Sequence, residues 1–428
     1  PERDRIIFSY GSIATAKIAR TRDSAGDYHV DTGEVTLGAT SRPPTEKAGI
    51  FVNGALPALN LDRWRSLLSQ SRDESEFSSN LAGIHVHVGT LDFLGKRFHD
   101  LTLDAGKKDG VWHSTLAGNE INGNVKWDPS ANGKVIARLH RLAIPAKSPS
   151  RSGLEGQKRL QSKTLPALDV VVETFLMGDK ELGRLELIAG HQEHIWRVEK
   201  LHVSSPDSSI TAHGLWQSRT APSRVHADLV LEASDIGTFL TRLGLPDQVR
   251  RGSGRLEGVL SWHGNPLSID YATLSGTFKL SAKRGQFPKF EPGLGRLFGI
   301  FNLQALPRRI TLDFHDVFSE GLGFDDISGE VKIRRGMAST DDLRVEGPSP
   351  KIFMNGELNL EAETQKLHIK VTPSYGLATP VVGMASVIAN TALQKPAAPR
   401  EYNITGSWTD PVVARIMRRE REPAEHEQ

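Results

Sequence analysis

The sequence has little that a membrane span, a disulfide-linked domain or a nucleic-acid-binding protein requires. None of its 428 residues is cysteine, which excludes disulfide bonds and thiolate chemistry. No apolar run reaches the roughly 18 residues that a spanning helix needs, and we expect no signal peptide. The formal net charge of +2 does not indicate a nucleic-acid partner. The apolar content of 38% is ordinary, so the chain can bury a core.

The histidines do not form a recognisable metal site. His191 and His194 are three residues apart, which is not the spacing of the HExxH zinc motif. His85 and His87 are two residues apart and therefore share one face of a strand, but no third ligand is evident. We expect this pair on a solvent-exposed strand face, and we expect neither a metal nor any other cofactor.

The sequence also lacks the patterns of common catalytic sites. Residues 293–299 (GLGRLFG) resemble a dinucleotide-binding turn but lack the flanking βαβ unit. Asp325 and Asp326 are adjacent, so a strand would direct them to opposite faces, unlike the converging carboxylates of a glycosidase. There is no nucleophile elbow and no P-loop. We therefore predict no catalytic residue and a protein that is not an enzyme.

Short alternating runs, separated by Gly and Pro, dominate residues 276–371. In the first run Phe278, Leu280 and Ala282 share one parity, whereas Lys279 and Ser281 share the other. This period of two residues is typical of a strand with one apolar and one hydrated face. No convincing helix separates the runs, so the pattern predicts an antiparallel meander.

A sheet with one apolar face must bury that face against another sheet, against helices or against a ligand. The sequence offers few helices to cover so many strands. One solution is a mainly β, elongated, twisted and open antiparallel sheet, a half-pipe with an apolar groove and a few short helices. The candidates for lining this groove share the apolar parity of their runs and are Phe278, Leu280, Ile333, Ile352, Met354, Leu358, Leu360, Ile369 and Val371.

One aromatic-rich segment, residues 285–329, interrupts the alternation. Gly and Pro occur in it too often for a regular strand. We expect residues 295–306 to fold over the apolar face as a short helix or loop, either as a mobile lid or as a fixed plug. The lid or plug candidates are Phe287, Phe290, Leu297, Phe298, Phe301 and Leu303.

The same segment closely resembles the C-terminal region of the YhdP proteins, members of the AsmA-like superfamily in Gram-negative envelopes. The matching phrases include NLQALPRR at 302–309, FDDISG at 324–329 and TDDLRVEGPSPKIFMNG at 340–356. LPALNLDRW at 56–64 and EYNITGSWTDP at 401–411 fit the same family, so the resemblance covers most of the chain.

This resemblance implies a periplasmic lipid conduit with an AsmA-like β-groove. It implies phospholipid as the partner, moved between the inner and outer membranes of a Gram-negative bacterium. It also implies an N-terminal anchor in the inner membrane. Because the sequence begins with Pro1 and contains no such anchor, we expect a C-terminal fragment or a processed product.

A helical candidate near the end of the chain, residues 379–393, has an apolar side but is too short to span a bilayer. It either plugs the end of the sheet or contacts the outer-membrane surface as an interfacial helix. The membrane-contact candidates are Val381, Met384, Ile388 and Leu393.

Four segments are predicted along the chain. A β-groove segment with a short helix near residues 60–68 occupies residues 1–144, and a flexible basic loop occupies residues 145–165. The central β-groove occupies residues 166–372, and the C-terminal helix, the final strand and a charged tail occupy residues 373–428. A second short helix is predicted at residues 234–243, where Gly244 provides the stop.

Two other functions stay open. A scaffold or assembly factor for outer-membrane proteins would use the sheet for edge pairing and would have its apolar face covered by protein. A β-rich carbohydrate-active enzyme would need two carboxylates that converge in a cleft.

Overall fold

The computed structural model describes residues 3–11, 13–22, 24, 28–38, 47–61, 80–93, 96–145, 165–193, 195–217, 222–266, 269–288, 322–348, 351–372 and 399–416. Within these ranges the chain forms 22 strands and one helix of seven residues. By packing, the chain divides into two compact units. Unit 1 comprises Pro1–Ser205 and Ala212–Ser223, and unit 2 comprises Pro206–Thr211 and Arg224–Gln428.

Unit 1 contains β1 to β12 and the greater part of β13. The strand bounds are β1 Arg3–Tyr10, β2 Ala14–Arg22, β3 Tyr28–Gly38, β4 Gly49–Asn60, β5 Leu81–Phe93, β6 Lys96–Lys108, β7 Val111–Ala117, β8 Ile121–Asp128, β9 Lys134–Ile144, β10 Ala167–Met177, β11 Lys180–Gln192, β12 Ile195–Ser204 and β13 Ser208–Gln217. From β1 to β12, each strand is hydrogen-bonded to the next one along the chain.

Three strand pairs in unit 1 are parallel, which corrects the prediction of a purely antiparallel sheet. They are β3 with β4, β4 with β5, and β9 with β10. Adjacent parallel strands require the chain to return to the same end of the sheet, so their connections are longer than a hairpin turn. The chain has such connections at residues 39–48, 61–80 and 145–166. The sheet is therefore mixed.

The core of unit 1 lies on one face of its central strands. Val86, Val88 and Leu91 on β5 and Leu101 on β6 form a buried cluster. Side chains from the neighbouring strands pack against this cluster, among them those of Leu37, Val52, Leu59, Ile84, Phe98, Leu116 and Ile121. The cluster joins six strands into one layer of contacts, because it receives side chains from β3 through β8.

Unit 2 is an antiparallel meander, as the alternation predicts. Its strands are β14 Arg224–Ala233, β15 Arg250–His263, β16 Ser275–Phe287, β17 Leu322–Arg334, β18 Met337–Glu346, β19 Lys351–Asn359, β20 Thr364–Thr372, β21 Arg400–Ser407 and β22 Pro411–Ile416. Every consecutive pair from β14 to β22 is antiparallel. The described pairings run in chain order and do not close the sheet, so the predicted mainly β, open sheet is confirmed.

The helix α1, Ile236–Arg242, confirms the helix predicted after β14. Asp235 caps its first turn, since the side-chain Oδ1 accepts a hydrogen bond from the Thr238 N–H at 2.9 Å. Gly244, with a φ of 81°, ends the helix as predicted. Phe239 and Leu240 are buried and fix the helix to the sheet.

Several predicted segments lie outside the described residues. Residues 62–79 contain most of the helix predicted near 60–68, and residues 146–164 contain most of the predicted basic loop. Residues 373–398 contain the predicted C-terminal helix with Val381, Met384, Ile388 and Leu393. Among the residues that are described, no helix has the length and apolarity needed to cross a membrane. The bounds of the four segments predicted from the sequence stay predictions.

Candidate functional site

One row of residues crosses all nine strands of unit 2 on the same face. Directly opposite residues on neighbouring strands share a face, so a chain of such pairs traces the surface of the sheet. The row, in order from β14 to β22, is Ala227, Leu260, Gly276, Ile333, Ala338, Leu358, Gln365, Gly406 and Pro411. With the exception of Gln365, each member is apolar or glycine. We call the face that carries this row the apolar face of unit 2.

Eight of the nine groove candidates lie on this face. Ile333 and Leu358 belong to the row itself. The others lie in the rows beside it, where apolar residues again face each other across strands. The remaining pairings are Phe278 with Gly258 and Val331, Leu280 with Leu256 and Gly329, Met354 with Leu343 and Ile369, and Ile352 with Val345 and Val371. The strand register therefore brings these eight side chains to one surface.

Leu360, the ninth groove candidate, lies in a turn. The strand β19 ends at Asn359, and the backbone N–H of Leu360 donates to the Gly336 carbonyl at 2.9 Å. A similar bond from the Gly336 N–H to the Leu274 carbonyl, also 2.9 Å, ties the preceding turn to the same end of the sheet. We call this end of unit 2 the turn edge.

Of the lid or plug candidates, Phe287 is described and Phe290, Leu297, Phe298, Phe301 and Leu303 lie outside the described residues. Phe287 is at the end of β16, opposite Leu322, and its ring centroid is 5.2 Å from that of Phe324. Leu322 and Phe324 are buried. Phe287 therefore belongs to an aromatic contact at the end of the sheet opposite the turn edge.

The burial along the apolar face of unit 2 is uneven. Most side chains in the row through Ile333 are nearly inaccessible to solvent. One strip is accessible, since Leu231, Leu256 and Leu280 are directly opposite each other on β14, β15 and β16 and are only half-buried. We call these three residues the leucine strip. An apolar chain can contact the sheet here without displacing a fully packed core.

The helix α1 covers one end of the apolar face beside this strip. Ile236 lies over Gly254, where an added β carbon would be 3.0 Å from the Ile236 side chain. Gly254 is opposite Ala233 and Ala282, so the helix packs on the end of β15 that is remote from the turn edge. Small residues at these three positions leave room for the helix.

Unit 1 has an apolar row of its own. It begins on β2 and continues through β12, and each member is directly opposite the next. The members are Ala14, Leu37, Gly54, Val86, Leu103, Leu116, Gly123, Leu139, Val172, Leu185 and Val203. The three parallel pairs leave this row unbroken, because opposite residues share a face in either direction.

The other face of the sheet is polar and carries ion pairs. On β11, Glu186 binds Lys200 at 2.6 Å and Arg184 at 3.2 Å. The hydrogen bond from Lys200, followed by that from Arg184, lowers the pKa of the Glu186 carboxyl. On β15, Arg255 donates to Glu257 at 3.1 Å, and this bond raises the pKa of the guanidinium. These groups are solvent-exposed and contribute solubility more than stability.

The histidine pair on β5 lies on this polar face, as predicted. His85 contacts Asp104 at 3.0 Å, and His87 contacts Thr102 at 3.1 Å. Their partners are on the adjacent β6. No group of three or more metal-ligating side chains that could hold an ion is found in the described part of the chain. Polar contacts across neighbouring strands thus account for both histidines.

Two residues on the apolar face of unit 2 were not predicted from the sequence. Gln365 occupies the row through Ile333, and Thr340 occupies the neighbouring row. Both are polar, and both are among the few polar side chains that are buried. Parity in the sequence could have identified Gln365, which is two residues before Leu367. The strands extend further than the apolar runs suggest.

Comparison with known proteins identifies the family of this chain. A family model described as YhdP protein matches residues 1–413. The intermembrane phospholipid transporter YhdP of Escherichia coli (strain K12) is 24% identical over 405 residues, which cover 89% of this chain and 32% of that protein. The chain thus spans about a third of the length of this curated relative. No solved structure matches the chain significantly. Because the family match includes nearly every described strand, the chain belongs to the YhdP protein family.

Proposed function

We propose that the chain is a periplasmic part of a conduit that moves phospholipid between the inner and outer membranes. The acyl chains travel along the apolar faces of the two units. The observation that carries this proposal is the continuity of the apolar rows, across eleven strands in unit 1 and nine in unit 2. The name of the E. coli relative, an intermembrane phospholipid transporter, supports the same function.

The physical need for such a surface follows from the hydrophobic effect. Exposing an acyl chain to water has a free-energy cost of about 0.8 kcal/mol per methylene. Two chains of sixteen carbons would therefore cost on the order of 25 kcal/mol, and unassisted crossing of the periplasm would be very slow. An apolar face that contacts the acyl chains removes most of this barrier. The role is passage and binding, and it requires no catalytic residue.

The apolar rows are long enough to replace many methylene–water contacts. Neighbouring strands are about 4.8 Å apart, so ten intervals in unit 1 extend about 48 Å along the sheet. Eight intervals in unit 2 extend about 38 Å along its sheet. Each row therefore exceeds the length of one extended acyl chain, and successive lipids can occupy one unit.

The leucine strip is the place where lipid contact is most readily tested. Leu231, Leu256 and Leu280 are half-buried, so they can touch a ligand and they also tolerate a hydrated charge in the empty protein. Ser281, the residue after Leu280, points to the polar face and is opposite Arg255. Adjacent positions thus offer opposite faces of one strand.

The test compares Leu280→Asp with Ser281→Asp in the 428-residue chain. Phospholipid that co-purifies with each protein is quantified by mass spectrometry, and lipid transfer between donor and acceptor vesicles is measured in parallel. We expect Leu280→Asp to lose most bound lipid and transfer, because a carboxylate on the lipid path must be desolvated as a chain passes. Ser281→Asp introduces the same charge on the polar face and should behave as wild type. Equal effects of the two variants, or wild-type protein without phospholipid, would exclude the conduit.

Membrane contacts complete the proposal. An N-terminal anchor would contact the inner membrane, and the chain covers about a third of the length of its E. coli relative. The outer-membrane surface would be contacted by residues 379–393, which lie outside the described residues. Both contacts are consistent with a location in the Gram-negative periplasm.

A further inference from the structure

The apolar face of unit 2 is interrupted by two polar residues near the turn edge. Gln365 is the one polar side chain in its nine-membered row, between Leu358 on β19 and Gly406 on β21. Thr340 is the one polar side chain in the neighbouring row, which continues through Gly356, Leu367, Ile404 and Val413. Both interruptions therefore occur inside a surface that is otherwise apolar.

Both residues are almost fully buried, yet each has an oxygen without a hydrogen-bond partner in the described part of the chain. The exposed fractions are 6% for Thr340 and 5% for Gln365. The unpartnered atoms are Thr340 Oγ1 and Gln365 Oε1, whereas Gln365 Nε2 makes a long contact with the Ser407 carbonyl at 3.5 Å. Buried polar atoms are nearly always hydrogen-bonded, so two exceptions on one apolar face require an explanation.

A third unpartnered group belongs to Trp408, the residue after the strand that pairs with β20. The indole Nε1 of Trp408 is buried and has no acceptor among the described residues. Trp408 follows β21, and its backbone N–H donates to the Glu363 carbonyl at 2.8 Å, two residues before Gln365. The turn edge thus presents two donors, the Thr340 hydroxyl and the Trp408 indole N–H, and one acceptor, Gln365 Oε1.

We propose that Thr340, Gln365 and Trp408 form a polar subsite that binds the ester and phosphate region of a phospholipid whose acyl chains lie on the apolar face of unit 2. This inference rests on the proposed function and specifies where a lipid pauses on the conduit. Ester and phosphate oxygens accept hydrogen bonds from the hydroxyl and the indole. A headgroup hydroxyl or ammonium donates to Gln365 Oε1.

The spacing of the three groups suits an extended polar region better than a single small molecule. Thr340 on β18 and Gln365 on β20 are separated by β19, which places their strands about 10 Å apart. Directly opposite Thr340 is Gly356, beside which Leu367 packs closely. A phospholipid carries its ester carbonyls, phosphate and headgroup donor along a comparable length.

The alternative is that ordered water satisfies these atoms, as it does in many protein interiors. The two explanations differ in the effect of isosteric apolar variants. If water is the partner, then Thr340→Val, Gln365→Met and Trp408→Phe change only stability. If a phospholipid is the partner, the same variants weaken its binding while the apolar surface is retained.

The experiment measures two probes on the 428-residue chain and its three variants. One probe is dihexanoylphosphatidylethanolamine, followed by isothermal titration calorimetry. The other is N-phenyl-1-naphthylamine, whose fluorescence reports the apolar surface. We expect each variant to bind the phospholipid about three- to tenfold more weakly, the loss of one hydrogen bond, with unchanged binding of the fluorescent probe. Thr405→Val, the same substitution on the exposed opposite parity of β21, is the control and should match wild type in both assays.

Each outcome either supports or overturns the subsite or the conduit. Unchanged phospholipid affinity together with a raised melting temperature would show ordered water and overturn the subsite. Equal loss of both probes would show a packing defect and would also overturn it. If Leu280→Asp abolishes phospholipid binding while the three variants bind as wild type, the conduit stands and the subsite falls. If wild-type protein binds neither probe, the conduit itself falls.

Discussion

Leu367 occupies the space that a side chain at Gly356 would need. The two residues are directly opposite each other on β19 and β20, and Gly356 has a φ of 139°. A β carbon at Gly356 would lie 2.8 Å from the Leu367 Cα and also meet the Lys366 carbonyl. This contact allows β19 and β20 to approach closely in the middle of the apolar face.

Replacement of this glycine should therefore destabilise unit 2. We expect Gly356→Ala to lower the free energy of unfolding by about 2–4 kcal/mol, since it adds backbone strain and a steric clash. The measurement is urea denaturation followed by circular dichroism.

Gly264→Ala is the matched control. Gly264 also has a positive φ, 108°, but an added β carbon would meet no atom within 4 Å. The free energy of unfolding of this variant should fall by about 1 kcal/mol, which is the cost of the backbone strain alone. Equal losses in the two variants would show that the approach of Leu367 is unimportant.

A second prediction concerns the apolar row of unit 1. Leu103 on β6 belongs to this row, between Val86 and Leu116, and is half-buried. Leu103→Asp should reduce lipid transfer by tenfold or more, because the carboxylate interrupts the path in the same way as a charge on the leucine strip.

The matched variant for unit 1 is Thr102→Asp, one residue earlier on the polar face. Thr102 contacts His87 there, so a carboxylate retains a polar partner. Its transfer rate in the vesicle assay should equal that of wild type. If Leu103→Asp also transfers lipid normally while Leu280→Asp does not, then lipid passes over unit 2 alone.

Much of the fold was predictable from local alternation, since a period of two residues identifies strands and their apolar faces. The directions of β4, β5 and β10 were not predictable, because the alternation is the same beside a parallel or an antiparallel neighbour. Direction depends on the path of long connections, which have no periodic signal.

Thr340, a polar residue on the apolar face, was missed for a different reason. The register of β18 shifts between Thr340 and Leu343, so Ala338 and Thr340 share a face with Leu343 although their parities differ. Such a bulge changes parity without a clear sequence signal.

A third prediction concerns the cap of α1. The Asp235 carboxylate accepts a hydrogen bond from the Thr238 N–H, and α1 covers the end of the apolar face at Gly254. Asp235→Ala should lower the free energy of unfolding by about 1 kcal/mol, the usual value of such a cap. Asp235→Asn retains a capping oxygen and should lie within a few tenths of a kcal/mol of wild type. Identical thermal unfolding of the alanine and asparagine variants would contradict a capping role.

The final prediction concerns alkaline pH and Tyr271, which precedes β16 at the turn edge. Burial raises the pKa of the Tyr271 phenol above its ordinary value of 10.0, and the charge of Glu363 raises it further. A group whose pKa is raised by folding stabilises the protein while it is protonated. The stabilisation is therefore complete below about pH 10 and is lost as the pH rises through the higher pKa of the folded state.

In urea unfolding between about pH 8 and pH 11, wild type should lose stability more steeply than Tyr271→Phe, which has no phenol to ionise. A wild-type slope in Tyr271→Phe would show that the alkaline loss comes from other groups.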